Sequence, residues 1–209
     1  MKLYLSSIGI PTPDDLANLL GKPLNSVSVA LLPNAKDYYS DRARTFTLDG
    51  RLAYMAQFGL NTSVVDLRDY NDSEALKQEL ADYDLIWAMG GNTFILRYEM
   101  KRSGFDKIIR QLLDQGIVYG GDSAGALVVG LSLAGIESAD EPAFAEEVIN
   151  DGIGLIPFHI LPHVDNPEFT DVIPTFKNLH EGDDIIELKD SEAVVFDGDS
   201  HWIVTIAER

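Results

Sequence analysis

The stretch Val118-Tyr119-Gly120-Gly121-Asp122-Ser123-Ala124-Gly125-Ala126 decides how this chain is read. Ser123 sits at the centre of a Gly-x-Ser-x-Gly pattern. Its glycines let a strand turn sharply into a helix and lift the serine hydroxyl above the sheet. The β-rich run Ile117-Val118-Tyr119 supplies the strand, and the Ala/Leu/Val run over residues 124–131 supplies the helix. Short glycine motifs arise by chance, so a plain glycine turn that happens to hold a serine is the competing reading. The flanking strand and helix favour a nucleophile.

Upstream of this turn, short apolar runs alternate with longer amphipathic ones. Residues 3–7, 26–32, 62–66, 85–89 and 117–119 are predicted strands, and residues 13–20, 41–58, 73–83, 93–100 and 105–115 predicted helices. Strands separated by helices imply right-handed crossovers and a mostly parallel sheet covered on both faces. The strand runs are apolar nearly throughout, as burial of both faces requires. Past Ile136 the pattern changes. An acidic helical stretch is predicted over residues 143–150, a strand over 158–162, and a loop and helix over 167–179. The last thirty residues read as an antiparallel hairpin, with residues 192–196 and 202–206 flanking Asp197-Gly198-Asp199-Ser200. With no repeat or linker, residues 1–209 form one α/β domain.

A chain of 209 residues with 45% hydrophobic side chains can bury one substantial core. The absence of cysteine excludes disulfides, thiolate metal sites and a cysteine nucleophile, and fits a cytoplasmic location. Gly9, Pro11 and Pro13 end the first apolar run too soon for a secretory or membrane-spanning core. The formal charge of −18 makes nucleic acid and anionic membrane improbable partners, although it can serve solubility alone. After Arg110 the only Lys or Arg side chains are Lys177, Lys189 and Arg209.

A serine hydroxyl needs a base to take its proton. Of the four histidines, His201 follows the hairpin turn, while His159 and His163 lie at the strand over 158–162. His163 is at the carboxyl end of that strand, the edge where active sites of open α/β sheets gather, and so is the expected general base. His180, after a predicted helix, competes for a role in substrate binding. An oxyanion needs two backbone donors. Ala124, just after the nucleophile, offers one. Gly91, in the turn Gly90-Gly91-Asn92-Thr93-Phe94 that opens a helix, is the expected second. Asn92 or Thr93 can equally be read as a helix cap. The spacing His159-x-x-x-His163 would bind metal only on a helix, so neither a metal nor an organic cofactor is expected.

In this order, Gly90-Gly91-Asn92-Thr93, the Gly121–Ala126 elbow, Asp140 before Pro142, and Pro162-His163 resemble the peptidase E/cyanophycinase family of serine peptidases. The resemblance implies a flavodoxin-like three-layer α/β/α domain with a Ser-His-acid triad acting through an acyl-enzyme. Peptidase E removes N-terminal aspartate from dipeptides, and cyanophycinase cleaves aspartyl-arginine units. The resemblance makes Ser123 the nucleophile, His163 the base, Gly91 and Ala124 the oxyanion donors, and Asp140 the third member, with Glu137 the alternative acid. Asn92, Thr93, Lys177 and His180 are expected to bind a small peptide substrate, in a monomer or homodimer. Two departures stand out. Asp122 replaces the large aromatic residue that precedes the serine in peptidase E. The run His180-Glu181-Gly182-Asp183-Asp184-Ile185 stands where the family carries Gly-x-Thr-Arg-Glu. Without that arginine, weak preference for aspartate is expected, unless Arg97 or Arg102 faces the cleft. Two other classes compete: an α/β-hydrolase esterase, which would bring a His-Gly-Gly loop this chain lacks, and an inactive amidotransferase-like binding domain, which would show a broken triad.

Overall fold

The computed structural model describes residues 1–206, so Arg209 lies outside the described residues. Its central sheet has seven strands: β1 (Lys2–Ser6), β2 (Ser28–Leu32), β3 (Asn61–Val64), β4 (Leu85–Ala88), β5 (Val118–Asp122), β8 (Glu192–Asp197) and β9 (Ser200–Thr205). Their order is β3-β2-β4-β5-β1-β8-β9. The first five run parallel, and β8 and β9 are antiparallel, as expected for the terminal hairpin. A separate parallel pair joins β6 (His159–Leu161) to β7 (Ile185–Glu187), a strand that the sequence did not announce.

Side chains alternate across the sheet with the period of two that a pleated strand imposes. Leu3, Leu5, Ala30, Leu32, Ile86, Ala88, Val194 and Phe196 pack on one face. They meet α3 (Ser73–Leu80), α4 (Thr93–Arg102) and α5 (Phe105–Asp114). Tyr4, Val29, Leu31, Leu85, Trp87, Ala193 and Val195 pack on the other, against α1 (Pro13–Leu20) and α2 (Asp41–Gln57). Both faces being covered explains the unbroken apolar strands and gives the three-layer α/β/α architecture.

Two expected helices differ. The helix after Ser123, α6 (Ala124–Leu127), makes only one turn instead of reaching residue 131. The carbonyls of Val128, Val129 and Gly130 accept the N–H groups of Ile153, Leu155 and Gly154, so a crossing segment takes the bonds a longer helix would use. The acidic stretch over 143–150 forms no helix. Only Pro142–Phe144 makes a single 3-10 turn, and Glu146 and Glu147 reach across to Tyr98 and Lys101 of α4 instead of lining a helix. The remaining helix is α7 (Val172–Leu179). No helix among the described residues is long and apolar enough to cross a membrane.

Candidate active site

The elbow forms where the motif puts it. β5 ends at Asp122, and Ser123 takes φ 52° and ψ −113°, a region that non-glycine residues rarely occupy. Such strain costs on the order of 1–3 kcal/mol and persists only where the surroundings over-determine it. Here they do. A side chain on Gly125 would run into the carbonyl of Ala88 at the end of β4. The Tyr119 hydroxyl donates to the Gly125 carbonyl at 2.8 Å. The Ser123 N–H donates to Ser6 at the end of β1, and its carbonyl accepts from Ala126 and Leu127.

His163 reaches this serine from the end of β6. Its Nε2 lies 2.9 Å from Ser123 Oγ, and its Nδ1 lies 2.6 Å from Asp190 Oδ1. Asp190 precedes β8. Because β8 runs antiparallel to β1, with Ser6 opposite Ala193, the chain entering β8 passes over the carboxyl end of β1. Asp190 Oδ1 also accepts the Ser7 hydroxyl at 2.9 Å, and Oδ2 accepts Asn166 Nδ2 at 2.8 Å. Ser7 Oγ in turn accepts the His163 N–H at 2.9 Å. His163 has φ 64° and its ring stacks on Phe169 at 4.4 Å. Burial would raise the Asp190 carboxyl, but the hydrogen bonds from His163, Ser7 and Asn166 outweigh it and hold it below the ordinary carboxylate value. An ionised Asp190 keeps the proton on Nδ1 and leaves the Nε2 lone pair facing the serine hydroxyl.

Neither expected acid makes this contact. Asp140 Oδ2 accepts the Thr93 N–H at 2.8 Å and the Thr93 hydroxyl at 2.6 Å, at the start of α4. Burial outweighs these bonds and raises its carboxyl above the ordinary value. Glu137 is exposed and accepts the Gly135 N–H at 2.8 Å. The geometry thus replaces Asp140 and Glu137 with Asp190 beside the imidazole.

The oxyanion candidates flank Ser123. Gly91 has φ 151° and lies so close to the Ala35 carbonyl that only glycine fits. Gly91 and Ala124 both line the cavity at Ser123. No protein acceptor among the described residues takes either N–H. Asp122, buried beside the nucleophile, is compensated. It accepts Arg51 Nη2 at 2.7 Å and the Trp87 indole N–H at 2.8 Å. The charge that replaces the family's aromatic residue therefore arrives with a cation from α2.

Two cavities of about 420 and 410 Å³ open on either side of Ser123. Leu127, Ile136, Leu161, Phe169, Val172 and Ile173 give the first an apolar wall, with Thr93, Asp140 and Glu168 among its polar groups. Asn92 instead caps α4, accepting the Ile95 N–H at 3.0 Å and donating to the Glu141 carbonyl. Lys177 and His180 stay away from the cleft: Lys177 pairs with Glu187 at 2.7 Å, and His180 Nε2 donates to the Ala134 carbonyl at 2.9 Å. Arg97 and Arg102 are likewise engaged elsewhere, with Asp106 and Glu99. Two cations reach the cleft: Arg51, which lines the second cavity and is paired with Asp122, and Lys36, which lines both cavities and forms no ion pair among the described residues.

Sequence reasoning missed Ser7, Lys36, Arg51 and Asp190. Ser7 and Lys36 could have been found, since Ser7 ends one predicted strand and Lys36 follows another, both at the carboxyl edge. Asp190 carried no local signal, because its place depends on which strand the hairpin joins.

A family model described as peptidase family S51 matches residues 10–204. Over 184 residues the chain is 29% identical to the uncharacterized peptidase Lmo0363 of Listeria monocytogenes, covering 87% of this chain and 85% of that one. Over 112 residues it is 39% identical to the uncharacterized peptidase Lin0382 of Listeria innocua, covering 53% of this chain and 54% of that one. A further 112-residue match, 32% identical, is to peptidase E of Shewanella denitrificans, covering 54% and 46%. In these last two matches the chain spans about half the relative's length. The crystal structure of a candidate peptidase E from Listeria monocytogenes EGD-e superposes with a TM-score of 0.84 at 25% identity, covering 99% of this chain and 98% of that one. The match across nearly the whole sequence and the likeness of fold place this chain in peptidase family S51, the serine peptidases of the peptidase E type.

Proposed function

We propose that the chain hydrolyses small peptides through an acyl-enzyme on Ser123. Ser123 Oγ attacks the scissile carbonyl carbon while His163 Nε2 takes its proton. Asp190, accepting the Nδ1–H, holds the ring in that tautomer and stabilises the imidazolium. The N–H groups of Gly91 and Ala124 receive the oxyanion. The imidazolium returns the proton to the leaving amine, and water, activated by the same nitrogen, releases the acyl group. The single observation behind this reading is the unbroken chain from Asp190 through His163 to Ser123, at 2.6 and 2.9 Å. A cytoplasmic setting belongs to the same proposal, supported by the lack of cysteine.

The cavity of about 420 Å³ that Ser123 opens into falls within the size range of small-ligand sites, which supports a short peptide as substrate. Its apolar wall, together with Asp140 and Glu168, suits substrates with a neutral or basic residue on the acyl side. Lys36 supports a second reading, in which it pairs with an aspartyl side chain.

Ser123→Ala is expected to lower turnover on the order of 10³-fold or more, with the thermal midpoint unchanged and labelling by a fluorophosphonate abolished. Full activity in that variant ends the proposal. Rates on Asp-Leu, Ala-Leu and Lys-Leu dipeptides decide the specificity. Exclusive cleavage of Asp-Leu, lost in Lys36→Met, assigns the aspartyl pocket to Lys36.

A further inference from the structure

Away from the cleft, two of the four histidines meet. His159 opens β6, His180 follows α7, and both rings are buried, with centroids 4.0 Å apart. Asp183, in the turn leading to β7, places one oxygen between them. Its Oδ2 lies 3.2 Å from His159 Nε2 and 3.6 Å from His180 Nδ1. One donor atom from each residue falls within 4.8 Å of the other two. Two nitrogens and an oxygen bound tetrahedrally at about 2.0–2.1 Å would sit about 3.3 Å apart. The two nitrogen–oxygen distances, 3.2 and 3.6 Å, already match that spacing.

The hydrogen bonds beyond these atoms point the same way. His180 Nε2 donates to the Ala134 carbonyl at 2.9 Å, which puts the ring proton on Nε2 and turns the Nδ1 lone pair toward Asp183. Metal-binding histidines commonly fix their tautomer by such a bond to a backbone carbonyl. A lone pair facing a carboxylate is repulsive unless a proton or a cation lies between them. His159 Nδ1 makes no well-formed hydrogen bond among the described residues, and the Ser132 backbone is close to it. The Phe176 ring packs against both imidazoles, at 5.7 and 4.5 Å, and gives the cluster an apolar backing. Asp183 is exposed and leaves one side open to water and to an entering ion.

We infer that His159, His180 and Asp183 form a site for a divalent transition-metal ion, with zinc the best match to two imidazoles and one carboxylate and with water as the fourth ligand. None of the three residues lines the cavities at Ser123. The site is therefore structural. It ties the start of β6, which leads to His163, to the end of α7, whose first turn carries Val172 and Ile173 of the cavity wall. The sequence hid it because the ligands come from three separate elements, and the apparent pair His159-x-x-x-His163 is not the pair that meets.

The test uses the full chain without a histidine tag, stripped by a chelator and titrated with Zn²⁺ by calorimetry. One Zn²⁺ per chain is expected, with a rise in the thermal midpoint. Co²⁺ should give the visible absorption of a tetrahedral ion. His180→Ala would remove a ligand but also disturb the packing on Phe176, so exposed Asp183 carries the decision. Asp183→Asn is expected to weaken Zn²⁺ at least about tenfold, whereas Glu181→Gln, beside it, leaves affinity unchanged. Absence of stoichiometric Zn²⁺ binding by the wild type, or equal binding by Asp183→Asn, overturns the inference.

Discussion

The two halves of the candidate catalytic cleft are held by different forces. The elbow is fixed by backbone sterics: Ser123 is forced to φ 52° because Gly125 must approach the Ala88 carbonyl and no side chain fits between them. The proposed base and its acid are fixed by polar side chains. Ser7 and Asn166 bind Asp190, Ser7 also holds the His163 N–H, and Phe169 stacks on the ring. A steric clamp tolerates nothing larger but requires no charged partner. A hydrogen-bonded clamp accepts some looseness and weakens as its donors are removed. The glycines of the elbow and the polar groups around His163 should therefore respond to substitution differently: stability for the first, activity for the second.

The sharpest way to break this contrast is Gly125→Ala. A methyl group there meets backbone that cannot step aside, so we expect a loss of at least about 3 kcal/mol or no folded protein, followed by circular dichroism on heating. A fully folded variant would show that the elbow is not sterically locked.

Next in size is Asp190→Asn, which should cut kcat/KM about 10³- to 10⁴-fold while leaving the fold intact. Asp140→Asn should cost less than about tenfold, because its partner is Thr93 rather than His163. A reversed ranking would return the acid to Asp140. The same pair differs in sign with pH. Hydrogen bonds hold Asp190 below the ordinary carboxylate value, so its stabilising effect is complete above about pH 4 and fades as pH falls through its folded value. Burial raises Asp140, so its contribution is complete below its unfolded value and is lost as pH rises through the folded one. Thermal midpoints of the two Asn variants across the acid range should show opposite trends relative to wild type.

Smaller than the loss of Asp190 is the effect of Ser7→Ala. It removes one donor to Asp190 and one acceptor for the His163 N–H, but Asn166 still holds the carboxylate. We expect about 1 kcal/mol in stability and roughly a tenfold drop in kcat/KM. A neutral Ser7→Ala would mean that Asn166 and the Phe169 stack suffice.

The first two-thirds of the fold were legible because each strand and helix there carries its own periodicity, and right-handed crossovers leave few ways to assemble them. The elbow was legible for a related reason: it is a local backbone event written in adjacent residues. His163 could be reached by the rule that sites gather at the carboxyl ends of strands. Beyond that, local reading failed in identifiable places. The carboxylates over 143–150 suggested a helix by composition, but Glu146 and Glu147 reach across to Tyr98 and Lys101 of α4 instead. Asp140 matched the family pattern by position, yet Thr93 at the start of α4 takes its carboxylate.

The sequence by itself determined the layered α/β class and the terminal hairpin and pointed to the candidate serine and histidine, since these rest on patterning and on the carboxyl-edge position of each residue. Only the tertiary structure decided the acid, the partner of Asp122 and the cation in the cleft. Asp190 meets His163 because the hairpin joins β1 rather than the far edge of the sheet. Arg51 meets Asp122 because α2 lies across that same carboxyl end. Such pairings join residues 27 and 71 positions apart, and their energy exists only once the sheet has chosen its neighbours.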